Sequence, residues 1–247
     1  MKREIKKVLD EAKRYLIQQE SLFGDEIVLP KGEEEKEKQT QHEQASAKKA
    51  IGDEQFGVDP TWVDSKTLDE LERKIKNCVK CPLGKMRTNF VFGVGNPNSE
   101  VVFIGEAPGA DEDLQGEPFV GRAGQLLNQL LAGVGFRRDE VYICNVLKCR
   151  PPGNRDPQTS EIEACSPYLI KQLEIIKPKL IVSLGRFPVQ TLLRTNASLT
   201  SLRGQIFEWR GIKMIATYHP AAALRNQQWK RPLLEDLRKA REILYGK

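Results

Sequence analysis

Short runs of β-branched and large apolar residues at Phe90–Val94, Val101–Gly105, Val141–Val146, Leu180–Leu184 and Ile212–Thr217 alternate with helical patterns at Gly124–Val134, Ser160–Ile176, Phe187–Thr195 and Pro232–Tyr245. Parallel strands need a crossover between them, so this alternation predicts an α/β domain: a mostly parallel sheet flanked by helices. Leu68, Leu71 and Ile75 mark a further helix leading to Cys78. Ligands of such sheets sit at the carboxyl ends of strands, where the chain turns into loops. Three unusual segments fall at such ends: Gly105-Glu106-Ala107-Pro108-Gly109, Asn145 to Cys149, and His219-Pro220. Their coincidence asks for a functional explanation.

The 247 residues are unevenly composed. Residues 1–30 carry Ile5, Val8, Leu9, Ala12, Tyr15 and Leu16 at helical spacing, which predicts an amphipathic N-terminal helix. Residues 31–65 read as a charged, largely disordered linker, because the tract from Lys31 has no large apolar residue to offset its ordering entropy. The compact domain is expected over 66–247. Residues 1–70 hold 12 Lys and Arg against 17 Asp and Glu; the rest hold 27 against 17, so the globular part is strongly basic. Such a surface favours a polyanionic partner but does not identify one. No apolar run approaches the roughly 18 residues of a membrane helix. The charged N-terminus resembles no secretory signal, so a cytoplasmic protein without membrane association is expected.

Five cysteines without an export signal point to reduced thiols or metal ligands. Cys78 and Cys81 form a C-x-x-C followed by Pro82; Cys149 and Cys165 bracket an irregular, proline-stiffened loop; Cys144 lies inside a strand pattern and reads as core. Four thiolates can hold a tetrahedral zinc or an iron–sulfur cluster. The long second spacing is unlike a zinc ribbon, and a Cys-Pro pair also occurs at a ferredoxin ligand.

Together these segments resemble the family-four uracil-DNA glycosylases. The run Gly105-Glu106-Ala107-Pro108-Gly109 through Gly124 looks like their first motif, and His219-Pro220 through Arg225 like their second; Asn145 to Pro152 lies between them in the expected order. The resemblance covers roughly residues 70–245. It implies removal of uracil from DNA in base excision repair, by a monomer carrying a [4Fe-4S] cluster on Cys78, Cys81, Cys149 and Cys165. The cluster would be structural, fixing the Arg150–Pro157 loop. The covalently trapping relatives use a histidine after the third cluster cysteine, and none stands there in this chain.

The resemblance also distributes roles. Gly105, Glu106, Ala107, Phe119, Asn145 and His219 would bind the flipped base. The Asn145 carboxamide would read its edge, Phe119 would stack on it, and His219 would hydrogen-bond the departing anion. His42 falls in the charged tract, so His219 is the histidine left for that work. Glu106 is the first candidate to position the attacking water, with Glu112 and Asp113 in reserve. Leu224 or Arg225 would fill the space vacated by the base, while Arg150, Arg155, Arg87, Arg122, Lys230 and Arg231 would meet phosphates. The N-terminal helix would dock on the domain or recruit a repair partner. The competing readings are a glycosylase of altered base preference and a non-catalytic, zinc-containing nucleic-acid-binding module.

Overall fold

The computed structural model describes residues 54–246. At its centre lies a sheet of strands β1 (Val94–Gly95), β2 (Val101–Gly105), β3 (Tyr142–Asn145), β4 (Leu180–Leu184), β5 (Ile206–Trp209) and β6 (Ile212–Thr217), in the spatial order β1-β3-β2-β4-β6-β5. The inner strands β3, β2, β4 and β6 are parallel, and β1 and β5 close the edges antiparallel. The helices are α1 (Leu68–Ile75), α2 (Ala110–Gln115), α3 (Arg122–Gly133), α4 (Thr159–Ile176), α5 (Arg186–Leu193), α6 (Leu199–Leu202), α7 (Pro220–Arg225) and α8 (Lys230–Tyr245).

Successive strand side chains point to opposite faces, which divides the apolar residues between two cores. Val102, Ile104, Cys144, Ile181 and Met214 face Leu71 and Ile75 of α1, Leu169 and Leu173 of α4, and Val189 of α5. Val101, Phe103, Ile143, Val182 and Ile215 face Leu127 and Leu131 of α3 and Leu233 and Leu237 of α8. The result is the three-layer α/β/α arrangement expected from the alternation. Each fully buried aliphatic contributes about 1.5–3 kcal/mol, so both faces must be covered for the sheet to persist. Cys144 is core, as its strand position suggested.

Three details depart from the sequence reading. The first predicted strand shrinks to Val94–Gly95; its earlier part joins the fold through the Val91 N–H, which donates to the Lys148 carbonyl at 2.9 Å. Strand β5 was not foreseen, because its exposed and half-buried residues alternate at a sheet edge. It turns into β6 through Arg210 (φ 49°) and Gly211 (φ 80°), and two such residues suit the twist of a tight hairpin. Residues 54–65, assigned to the linker, instead pack on the domain: Val58, Trp62 and Ser65 are buried, and the Trp62 ring meets Tyr168 edge-on at 5.0 Å. Val58, between two short 3-10 turns, and Trp62, inside the second, carry no periodicity for a sequence reading to detect. The N-terminal helix and the charged tract up to residue 53 lie outside the described residues. No helix among the described residues is long and apolar enough to cross a membrane.

The packing of Trp62 makes a stability prediction. Trp62→Ala should lower the unfolding free energy by about 3–5 kcal/mol. The exposed neighbour Val63 should tolerate alanine within about 0.5 kcal/mol. Thermal or denaturant melts of the two variants would check both values.

Candidate active site

Strands β2 and β3 stay in register to their last residues, where Gly105 lies opposite Asn145. Beyond the ladder, the N–H groups of Val146 and Leu147 donate to the Gly105 and Glu106 carbonyls at 3.0 Å each, so the two chains leave the sheet still paired. Asn145 is 2% exposed, and its Oδ1 has no hydrogen-bond partner. A buried amide oxygen left open costs about 1–3 kcal/mol, and it marks a position where a ligand donor belongs. A Cβ at Gly105 would stand 2.3 Å from that oxygen and 2.6 Å from Cζ of Phe119. Only glycine leaves room for the amide and the ring to approach each other here.

Phe119 is buried and holds a left-handed backbone conformation, φ 55°, which is strained for a bulky side chain. Its surroundings hold it there. The Glu112 carboxylate accepts from the N–H groups of Val120 (3.0 Å), Gly121 (2.9 Å) and Gly109 (3.1 Å). Arg138 donates to the Pro118 carbonyl at 2.7 Å and to Asn128 Oδ1 at 2.8 Å. Glu112 is therefore placed as a brace between two loops, rather than facing the pocket as a reserve for positioning water. Asp113 does similar work, accepting from the Thr88 N–H at 2.9 Å. Arg138, fourteen residues beyond the end of the motif it steadies, carried no signal in the sequence.

His219 caps the start of α7. Its Nδ1 accepts the Ala221 N–H at 3.2 Å, so the neutral ring carries its proton on Nε2. Burial, reinforced by the Arg225 charge, pulls the imidazole pKa down to about 4. The ring lies 5.4 Å from the Phe119 ring, tilted by 30°. Behind it, Tyr218 stacks on Trp229 at 4.3 Å and lies under the Arg203 guanidinium, which also pairs with the buried Asp236 at 2.6 Å.

Glu106 is half-buried at the end of β2. Desolvation first, then the Asp156 charge, push its carboxyl up to about 7 against the opposing pull of Arg186 and Arg225. Ala107 is half-buried and packs against the α4-side core. Leu224 and Arg225 stand exposed on α7, free to reach a partner. Two arginines expected at phosphates are committed elsewhere. Arg155 forks onto the buried Glu161 at 2.9 and 2.5 Å. Arg87 bonds the Lys76 carbonyl at 2.7 Å, the Cys78 carbonyl at 2.5 Å and Cys149 Sγ at 3.3 Å. Arg150 bonds Asn154 Oδ1 at 2.7 Å and remains partly exposed.

Cys78, Cys81, Cys149 and Cys165 are all free thiols brought to one region. Three of the four have their ionisation opposed by neighbours: Cys81 by Cys78, Cys149 by Cys81 and Cys78, and Cys165 by Cys149 and Cys78. Burial dominates, pushing Cys149 up to about 11 and Cys165 to about 12. Donors nevertheless surround the sulfurs: Tyr168 OH to Cys78 and the Lys148 N–H to Cys165, both at 3.3 Å, and the Lys80 N–H to Cys78 at 3.5 Å. Buried thiols ringed by donors are prepared for the thiolate form once positive charge arrives. Among the described residues, no three His, Cys, Asp or Glu side chains are grouped so as to hold a single metal ion.

An open amide oxygen, an aromatic ring and a neutral imidazole gathered at one place suit a flat ring with hydrogen-bonding edges. Their place at the carboxyl ends of parallel strands defines an α/β enzyme acting on a nucleobase-like group. Residues 92–238 match the Uracil DNA glycosylase superfamily. The chain is 49% identical over 185 residues to the type-4 uracil-DNA glycosylase of Archaeoglobus fulgidus, covering 72% of this chain and 93% of the relative. It is 46% identical over 186 residues to that of Sulfurisphaera tokodaii, covering 72% and 84%, and 45% identical over 181 residues to that of Thermotoga maritima, covering 72% and 94%. The chain belongs to the type-4 uracil-DNA glycosylases.

The close approach at Gly105 is directly testable. Gly105→Ala should fold, yet lose about 100-fold or more in activity, since a displacement near 1 Å at a reacting centre is enough for that. Base-release kinetics beside a thermal melt would separate the two effects.

Proposed function

We propose that this chain excises uracil from DNA, hydrolysing the N-glycosidic bond of a flipped-out nucleotide and leaving an abasic site. The observation that carries the reading is the buried, unpartnered Oδ1 of Asn145. Uracil offers a donor at N3 and an acceptor at O4, which complement a carboxamide oxygen and NH₂. Cytosine presents an acceptor and a donor in those places, leaving both amide groups mispaired at about 1–3 kcal/mol each. Phe119 stacks on the base, a contact worth about 1–3 kcal/mol.

Bond cleavage leaves negative charge on uracil and oxocarbenium character on the sugar. His219 presents Nε2–H to uracil O2, and its depressed pKa keeps it a neutral donor throughout the physiological range. Glu106 in its ionised form orients the attacking water, accepts its proton and offsets the sugar charge. Of the two reserves for that task, Glu112 has its oxygens occupied by backbone N–H groups, and Asp113 accepts from the Thr88 N–H. Leu224 and Arg225, exposed on α7, enter the duplex where the base has left. Cys78, Cys81, Cys149 and Cys165 hold a [4Fe-4S] cluster, which supplies positive charge to the buried thiolates and a fixed anchor for the Arg150–Pro157 loop. The hydrolysis transfers no electrons, so this role is structural.

Asn145→Ala should lower kcat/KM on a uracil-containing oligonucleotide about 100-fold, read as alkali-labile strand cleavage. Undiminished cleavage would place base reading elsewhere. Because Glu106 acts ionised and its pKa is raised, the rate should climb as pH rises through about 7 and level off above it. Glu106→Gln should be slow and lack this limb, and a wild-type limb retained in the variant would exclude Glu106 as its source. Cys149→Ser should lose the brown visible absorbance of an iron–sulfur protein and melt at a lower temperature; a colourless wild-type protein with bound zinc would refute the cluster.

A further inference from the structure

Lys148 is completely buried, on the segment that joins the pocket to the thiols, and the chemistry above gives it no task. Its side chain folds back along its own chain. Nζ donates to the Asn145 carbonyl at 2.8 Å and to Gln172 Oε1 at 2.6 Å. The Gln172 amide in turn donates to the Phe92 carbonyl and to the Tyr142 hydroxyl, both at 3.1 Å. Every member of this chain of contacts is at most 3% exposed.

The topology explains why the Asn145 carbonyl needs such a donor. Strand β1 pairs with β3 only at Tyr142 and Ile143, so no β1 residue stands opposite Asn145 on that edge. A buried carbonyl there must find a donor from outside the sheet. Lys148 provides it from three residues along. Both of its contacts need only N–H donors, which an amine and an ammonium supply alike, so the geometry does not depend on its charge.

Gln172 and Cys165 are seven residues apart on α4, two helical turns, and so share a face. That face meets the 145–149 segment twice: Cys165 Sγ accepts the Lys148 N–H, and Gln172 accepts the Lys148 side chain. Helix α4 therefore grips Lys148 at both its backbone and its tip.

We infer that Lys148 is the positioning residue of the base-reading amide, fixing the Asn145 backbone through its carbonyl and tying it, through Gln172, to the helix that bears Cys165. The inference rests on the reading of Asn145 as the group that recognises the base. A methionine at 148 preserves apolar bulk but removes the donor, leaving the Asn145 carbonyl free to rotate and the carboxamide with it.

The test is a double-mutant cycle on the full chain, comparing Lys148→Met, Asn145→Ala and the pair. The readouts are kcat and KM on a uracil-containing oligonucleotide, inhibition by free uracil, and visible absorbance as a check on the thiol site. Lys148→Met should keep the absorbance, weaken inhibition by free uracil about tenfold and lower kcat by at least as much. In the Asn145→Ala background it should cost nothing further. Should Lys148→Met fold poorly, Gln172→Met loosens the same lysine away from the sulfurs and should show the same direction and the same non-additivity.

Full additivity of the two substitutions, unchanged inhibition by free uracil, or loss of the visible absorbance in a folded Lys148→Met protein would each overturn the positioning role. An Asn145→Ala enzyme that cleaves at the wild-type rate would overturn the site reading itself, and this inference with it.

Discussion

The parallel pairing of β2 with β3, carried without a slip to Gly105 opposite Asn145, is the contact on which the site depends. A shift of one residue would turn the Asn145 side chain to the other face of the sheet. Register is held by apolar residues on both faces: Val102 and Ile104 in one core, Phe103 and Ile143 in the other, each needing its own layer of helices. The strand ends are thus rigid platforms, and loops that carry the aromatic and the imidazole need only be clamped against them. Two charged groups do that for Phe119, Glu112 from one side and Arg138 from the other. The strain of its positive φ, about 1–3 kcal/mol, is offset by those contacts, and Gly124 in the first turn of α3 leaves room for the Phe119 carbonyl, which a Cβ there would strike at 1.7 Å.

The pocket's electrostatics follow from the same burial. Desolvation raises the Glu106 carboxyl to about 7 and lowers the His219 imidazole to about 4, moving both toward their neutral forms. The consequences for catalysis differ. A neutral histidine with its proton confined to Nε2 is ready to donate across the whole range, whereas a carboxylate poised near neutrality is a stronger base than a solvated one. Arg225 bears on both groups, lowering each pKa, and it sits on the exposed helix expected to meet DNA. Changes in the surroundings of that arginine would be felt at once by Glu106 and His219, the two groups proposed to act on the scissile bond.

Much of this was legible in the sequence, for identifiable reasons. Strands buried on both faces are continuous apolar runs, so β2, β3, β4 and β6 could be placed, and the segments at their carboxyl ends could be nominated before their geometry was known. Gly105, Phe119, Asn145 and His219 do meet, although they lie far apart in the chain. What escaped was whatever depended on partners rather than pattern. A charged residue reads as surface until its counterpart is known: Arg155 is taken by Glu161, Arg87 by two carbonyls and a sulfur, and Glu112 by three backbone N–H groups. The packed turns around Trp62 and the amphipathic edge strand β5 escaped because neither carries a run long enough to show a period.

Lys148 combines these lessons. Between Asn145 and Cys149 it looks like one more basic residue in a basic domain, and charge patterning alone would send it to the solvent. A buried lysine is costly unless the structure around it is fully satisfied. The donors of Lys148 reach a carbonyl and an amide, and its own N–H and C=O are engaged by Cys165 and Val91. Its place in the fold is therefore specified by four separate contacts to the chain around it. A segment held so firmly between the thiols and Asn145 would let a cluster bound by those thiols act on the proposed base-reading amide without taking part in bond cleavage. The contacts run without a break from Cys165 on α4 to Lys148 and from Lys148 to Asn145, the amide proposed to read the base.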